Sequence, residues 1–431
     1  MADPDVGPRA AEATPEPAGP VEPVEPAAHP PLSRALVLLF AAAAGVAVAT
    51  VYLAQPLLVT MGRDFGLSPG TVGLVVTLTQ AGYGLGLFLL VPLGDLVDRR
   101  RLIVTQFAVL AAALAAVGVA GDTALLLAAM AAVGLLAVVT QSVVAYAASL
   151  AGPAERGRVV GLVTSGVVTG ILLARTVSGA LADLAGWRSA YLVSAALTST
   201  LAAALYRVLP RTDVAASALS YRELLGSMVT LFAGERVFRI RAALALLIFA
   251  AFGTLWSSVA LPLSEAPWSL SHTAIGAFGL AGVAGALAAT PAGRLNDRGH
   301  ARWTTGVGLV LLTLSWIPLA FTRHTLWALV VGAVVLDLAV QAVHVTNQTL
   351  IYNLRPEAGS RLIGGYMIFY SIGSATGAIT STTMYAATGW IGVCALGAGF
   401  SGSALALWAL TLDRPSKRRP AAPVVTRSAA R

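Results

Sequence analysis

Apolar residues run along this chain in long unbroken stretches, and the polar residues collect in short gaps between them. A helix needs about 20 apolar residues to cross a hydrocarbon core about 30 Å thick. Twelve stretches reach that length. They are 34–61, 70–93, 101–120, 123–150, 157–183 and 187–209 in the first half, and 238–263, 272–293, 302–321, 325–351, 359–386 and 390–412 in the second. Open sheets are excluded in hydrocarbon, where every unpaired backbone group is costly. The short alternating strands of a membrane β-barrel are not what these runs look like. The pattern predicts an all-α membrane protein with twelve transmembrane helices.

The remaining segments divide the chain. Residues 1–33 are rich in Pro, Ala and Glu without apolar periodicity, which predicts a disordered tail. Residues 34–209 form one predicted block, 210–237 a linker, 238–412 a second block and 413–431 a basic tail. Within the linker, Tyr221-Arg222-Glu223-Leu224-Leu225 reads as a short interfacial helix joining the blocks.

Composition agrees with lipid as the solvent. Of 431 residues 57% are hydrophobic and 11% charged, against about 25% charged in soluble domains. Mean hydropathy is +0.79. The net charge of +8 points to topology rather than nucleic acid, because the bases sit in short loops. Arg99–Arg101, Arg156 and Arg158, Arg207 and Arg211, Arg294 and Arg298, Arg355 and Arg361, and the tail bases Lys417, Arg418 and Arg419 all fall on one side. The alternate loops hold mainly Arg63, Arg188 and Arg323. The positive-inside rule puts both termini in the cytoplasm, in a multi-pass protein of the cytoplasmic membrane. The single Cys394 lies in an apolar run, so it forms no intrachain disulfide and is expected to be a buried packing residue.

The chain repeats itself. Pro92-Leu93-Gly94-Asp95-Leu96-Val97-Asp98-Arg99 follows the second run, and Pro291-Ala292-Gly293-Arg294-Leu295-Asn296-Asp297-Arg298 follows the eighth, 199 residues on (291 − 92). Leu67-Ser68 with Gly73 returns as Leu270-Ser271 with Gly276. Pro153, Arg158, Gly161, Gly170 and Gly186-Trp187 return as Pro356, Arg361, Gly364, Gly373 and Gly389-Trp390, each 203 residues on (361 − 158). Six helices separate equivalent points, so both copies keep the same in–out sense. Transporters with such parallel repeats hold their substrate near the midplane between the halves.

The Gly-x-Leu-x-Asp-Arg turn after the second and eighth runs resembles the signature loop of the major facilitator superfamily, and the resemblance covers roughly residues 34–412. It implies two pseudo-symmetric six-helix bundles. Three stretches are similar to the bacterial arabinose-efflux-like, drug:proton antiporter branch: Tyr52-Leu53-Ala54-Gln55-Pro56-Leu57-Leu58, Gly170 to Gly179, and Val343-His344-Val345-Thr346-Asn347-Gln348-Thr349. Two departures stand out. The family turn ends Asp-Arg-x-Gly-Arg-Arg, whereas Asp98-Arg99-Arg100-Arg101 lacks the Gly, so either Asp95 or Asp98 is the motif acid. The antiporter pattern Gly-x-x-x-Gly-Pro has Arg175 where its Pro would stand.

Several residues are candidates for mechanism. The turn residues Gly94, Asp95, Asp98, Arg99, Arg100, Gly293, Asp297 and Arg298 form either a cytoplasmic gate that latches the halves or topogenic charge alone. Arg175 lies 17 residues beyond Arg158, hence about 25 Å along its helix and past mid-membrane. Arg at a helix centre costs about 2.5–3.5 kcal/mol on insertion scales, so it is expected to face a partner or a wet cavity. Asp337 is the clearest carboxylate within an apolar run, in the opposite half at comparable depth. The two are expected to interact directly or through water. Proton uptake by Asp337 would then release Arg175 or substrate; a static ion pair, and Arg175 holding a substrate anion, stay open as alternatives. Asp337, Gln341, His344 and Gln348 fall on one helical face, a predicted polar cavity wall, and Asn347 lies beside them. His344 is a candidate for proton coupling. Its repeat mate is Gln141 (344 − 203), and Tyr146 lies lower on the same helix. The resemblance implies that helices one, four, seven and ten line the cavity, which adds Tyr52, Gln55 and Trp256 as substrate contacts. Gln80 and Tyr83 are weaker candidates. Gly-rich stretches of helices two and eight mark close helix contacts.

No Walker-type phosphate loop, metal cluster or nucleophile–base set occurs, so an ATP-driven pump, a metal or cofactor protein and a membrane enzyme are disfavoured. The expected function is secondary active export of a small organic molecule (drug, sugar or metabolite) by alternating access and proton antiport. Proton- or ion-coupled nutrient uptake and a non-transporting sensor or scaffold are the alternatives. The expected partners are substrate, protons and lipid, with the chain acting as a monomer.

Overall fold

The computed structural model describes residues 32–152, 155–210, 220–354 and 359–412. The expected tails, apart from Leu32 and Ser33, residues 211–219 of the linker, and the landmarks Pro153, Arg355 and Pro356 lie outside these residues. Among the described residues every regular element is helical. In chain order these are α1 (Arg34–Ala49), α2 (Leu58–Asp64), α3 (Leu74–Leu89), α4 (Arg99–Gly118), α5 (Thr123–Ala137), α6 (Val139–Leu150), α7 (Arg156–Ala185) and α8 (Trp187–Val208). The linker helix α9 (Tyr221–Gly234) follows. Then come α10 (Arg236–Ser258), α11 (Ala260–Ser264), α12 (His272–Ala277), α13 (Gly282–Asp297), α14 (Ala301–Leu314), α15 (Trp316–Ala320), α16 (Leu326–Tyr352) and α17 (Gly359–Thr411). Ten helical stretches among the described residues are long and apolar enough to cross a membrane.

The difference from the twelve runs has local causes. The first run breaks after Ala49 into a 3-10 turn, Gln55–Leu57, with Pro56 at its start, and resumes as α2. Proline has no N–H to give the carbonyl four residues back, and its ring crowds that carbonyl. The same step separates Pro262 from Ser258, where α10 stops, and Pro318 from Leu314, where α14 stops. The last two runs meet within α17 at Gly389, whose φ 69° and ψ −163° are non-helical and divide it into two helices. Gly389 is the repeat mate of Gly186, which separates α7 from α8 at φ 80° and ψ 157°. Both positions need the positive φ that glycine adopts without a Cβ clash. The linker helix is longer than the pentapeptide expected, and opens on a reciprocal cap: Glu223 Oε2 accepts the Ser220 N–H at 2.7 Å, and Ser220 Oγ accepts the Glu223 N–H at 3.4 Å.

The helices pack as two similar bundles. In the first, α1 lies on α7, α3 on α5 and α4 on α8; in the second, α10 lies on α17, α13 on α16 and α14 on α17. One large buried apolar cluster draws almost wholly on residues 37–209 and another on residues 244–404. The bundles meet along two seams, α3 against α17 and α7 against α12, which exchange under the 203-residue shift. At one seam a Cβ on Gly73 would lie 2.8 Å from the Ala378 carbonyl oxygen. At the other, a Cβ on Gly276 would lie 2.2 Å from the Arg175 carbonyl oxygen. Gly73 and Gly276 are repeat mates, and so are Arg175 and Ala378 (378 − 175 = 203). The sequence repeat is therefore a packing repeat.

Candidate functional site

A cavity of about 330 Å³ lies between the bundles, bounded by residues of both. Arg175 reaches it from α7, with only 3% of its surface exposed. Its Nε donates to Gln55 Oε1. The guanidinium carbon sits 4.1 Å from the Trp256 ring centroid, 5.3 Å from that of Tyr52 and 5.9 Å from that of Phe252. Asp337 enters from α16 of the other bundle and is buried, its Oδ1 accepting the Trp256 indole N–H at 3.0 Å. Arg175 and Asp337, expected to interact directly or through water, form no direct hydrogen bond or ion pair in this state, though their charges act on each other. The indole occupies the ground between them, stacking its face on the cation and pointing its N–H at the anion.

The polar face of α16 divides. Gln341, His344 and Gln348 line the cavity with Asp337. Asn347 does not; its Oδ1 accepts from Arg241 at 3.2 Å and its Nδ2 donates to the Tyr366 hydroxyl at 3.5 Å. The same hydroxyl lies 2.9 Å from His344 Nδ1. Tyr366 therefore fixes the imidazole while leaving its other nitrogen for the cavity. On the first bundle, Tyr52, Gln141, Gln80 and Tyr83 line the cavity. Tyr146 does not: it is buried edge-on to Phe40, and its hydroxyl donates to the Pro210 carbonyl at 2.9 Å. Sequence reasoning missed Phe249, Phe252 and Tyr370, which complete the aromatic wall, and Arg241 behind it. Across the bundles the Tyr52 and Tyr370 hydroxyls are 2.8 Å apart.

The two ends of the cavity differ. At the arginine-poor end the bundles are tied together. His272 Nε2 is 2.6 Å from Thr60 Oγ1, and its Nδ1 is 2.7 Å from Asp183 Oδ1. Asp183 Oδ2 also accepts from the Thr273 N–H at 2.8 Å and from the Thr273 hydroxyl at 2.6 Å. At the arginine-rich end a second cavity of about 460 Å³ is lined by Gly94, Arg99, Arg156 and Arg361, and Gln141 borders both cavities. Here Asp98 caps α4 by accepting the Arg101 N–H at 2.8 Å, and Arg99 Nε donates to the Gly94 carbonyl at 3.0 Å. Arg100 donates to the Tyr206 carbonyl and lies 5.0 Å from its ring centroid. The Asp95 side chain is outside the described residues. In the second copy Pro291 stays inside α13; Gly293 follows within the helix, and Asp297 and Arg298 are exposed at its end.

The Major Facilitator Superfamily family model matches residues 39–266 and again residues 242–429. The chain belongs to the major facilitator superfamily. The first match spans the first bundle and runs on through the linker and α10, and the second begins within α10 and spans the rest of the second bundle. The chain is 46% identical over 377 residues to the uncharacterized transporter YgaY of Escherichia coli O157:H7, covering 88% of this chain and 95% of that protein. It is 31% identical over 394 residues to the "Probable transporter SCO4007" of Streptomyces coelicolor, covering 89% of each. Among solved structures, a bacterial homolog of the human lysosomal transporter Spinster superposes with a TM-score of 0.75 at 15% identity, covering 87% of this chain and 96% of that one. This superfamily member is thus a multi-pass membrane transporter and not an enzyme.

Proposed function

We propose that this transporter exports a small organic molecule across the cytoplasmic membrane by alternating access, coupled to proton entry, with both termini in the cytoplasm and twelve crossings by the monomer. The observation that carries this reading is the placement of two buried charges. Arg175 and Asp337 come from opposite bundles, border one cavity and share one indole. Their repeat mates are Ala378 and Gly134 (337 − 134 = 203), so the scaffold carries charge at only one copy of each position. Packing does not require these charges, and each is expensive in hydrocarbon. A proton on Asp337 removes its negative charge and with it the electrostatic attraction between the two bundles at this point. That biases the halves toward separating at the arginine-poor end. With the arginine-rich loops on the cytoplasmic side, the state described here is loaded from inside.

Everted vesicles with an acid lumen test the direction. A solute added outside should accumulate in the lumen while the lumen becomes alkaline, and Asp337→Asn should abolish both. Accumulation that persists after the pH gradient is collapsed, or undiminished proton-driven flux in Asp337→Asn, would contradict the proposal.

A further inference from the structure

Arg175 has more donors than acceptors. Its guanidinium carries five N–H groups. Only Nε makes a hydrogen bond among the described residues; Nη1 and Nη2 donate to none, and Nη2 is sealed from solvent. Leaving charged donors buried without an acceptor is costly. Asp337 does not fill the gap: no hydrogen bond or ion pair joins it to Arg175 among the described residues, and its Oδ1 accepts the Trp256 N–H. The rings of Tyr52, Phe252 and Trp256 offset part of the charge through their π faces. They supply no oxygen for the planar fork.

Resting on the transport reading of this same cavity, we propose that the solute is an organic monoacid. Its carboxylate docks on Nη1 of Arg175, and its aromatic or apolar body lies against Tyr52, Phe249 and Phe252, which line the cavity. A carboxylate oxygen on Nη1 makes a charge-assisted hydrogen bond, and a small shift that uncovers Nη2 would complete the two parallel bonds of the guanidinium fork. Charge balance selects a monoanion. Arg175 is the one Arg or Lys lining the cavity among the described residues, so beside an ionised Asp337 a bound monoanion leaves −1 and a dianion −2. The acid departs before Asp337 takes up its proton, as antiport requires. A phosphate carries about −1.5 to −2 at neutral pH and would overload a site with a single arginine beside a carboxylate. The far wall of Gln341, His344 and Gln348 is amide and imidazole, and suits a neutral polar tail better than a second anion.

The test is equilibrium binding to the full-length protein in lipid nanodiscs, without a pH gradient. The probes are acetate, benzoate, 2-naphthoate and 4-phenylbutyrate, each beside its amide and its amine. At least one acid should bind, with its amide and amine weaker by about tenfold or more, and Arg175→Gln should weaken the acid about 10–100-fold. Arg175→Lys should retain part of the acid preference. An amide or amine that binds as tightly as its acid overturns the inference, as does full acid affinity in Arg175→Gln or an acid series in which nothing binds. The wild-type acid-over-amide preference does not depend on how well Arg175→Gln folds. The two proposals also fail separately. An acid that binds through Arg175 but is not driven by a proton gradient sinks the antiport reading alone. Proton-driven movement of only neutral or cationic solutes sinks the carboxylate site alone.

Discussion

Trp256 uses its ring face and its ring edge on different partners, and that makes it the most informative single residue. Trp256→Phe keeps an aromatic face beneath Arg175 but removes the N–H that Asp337 accepts. A hydrogen bond to a charged group contributes about 1.5–3 kcal/mol. Proton-driven flux by Trp256→Phe should therefore fall about tenfold or more, and Trp256→Leu should fall further because the π face goes too. Initial rates in proteoliposomes decide it, and a wild-type rate in Trp256→Phe would show the indole to be filler. Arg175 and Asp337 stood out in the sequence because a charge inside an apolar run is costly unless it meets a partner or a wet cavity. Phe249, Phe252 and Tyr370 were not, since a ring in an apolar run looks the same whether it faces core or cavity. Asn347 and Tyr146 show a different limit. One residue turns a helix by about 100°, so Gln348 faces the cavity while its neighbour Asn347 meets Arg241. Tyr146 lies five residues from Gln141 on the same helix α6, most of half a turn out of phase, and of the two only Gln141 reaches the cavity.

At the scale of elements, the sequence marked where helices start and stop better than where they bend. Charged turns and Gly186 were visible as boundaries. The breaks near Pro56, Pro262 and Pro318 fell inside apolar runs and were absorbed into them. The seam between α7 and α12 gives a prediction at this scale. The Cβ of Gly276→Ala would lie 2.2 Å from the Arg175 carbonyl oxygen in the state described here. Backbone is a poor neighbour to displace, and overpacking of this kind costs about 1–3 kcal/mol. Alternating access as proposed would part this seam when the arginine-poor end opens, so the burden should fall on the state in which that end is closed. A spin-label pair at Arg63→Cys and His324→Cys, with Cys394→Ser, should show a larger long-distance population in Gly276→Ala than in wild type. An unchanged distance distribution would mean that the seam does not part.

For the whole molecule, the legible part was the duplication: landmarks 203 residues apart turn out to be equivalent contacts, Gly73 on Ala378 and Gly276 on Arg175. The arginine-poor tie could not be read, because Asp183, His272 and Thr60 lie in three separate stretches that only the fold brings together. Asp183→Asn removes the charge that gathers four hydrogen bonds from His272 and Thr273. The same spin-label pair should then shift toward the separated state by about tenfold in population ratio or more. No shift would mean that the tie is a passive surface contact. Asp337 is the proposed link between proton movement and the exchange of the two access states. Asp337→Asn in proteoliposomes separates those functions. Solute-for-solute exchange without a gradient should continue at a rate comparable to wild type, while accumulation driven by a pH gradient should vanish. Loss of both together, or retention of both, would contradict the claim.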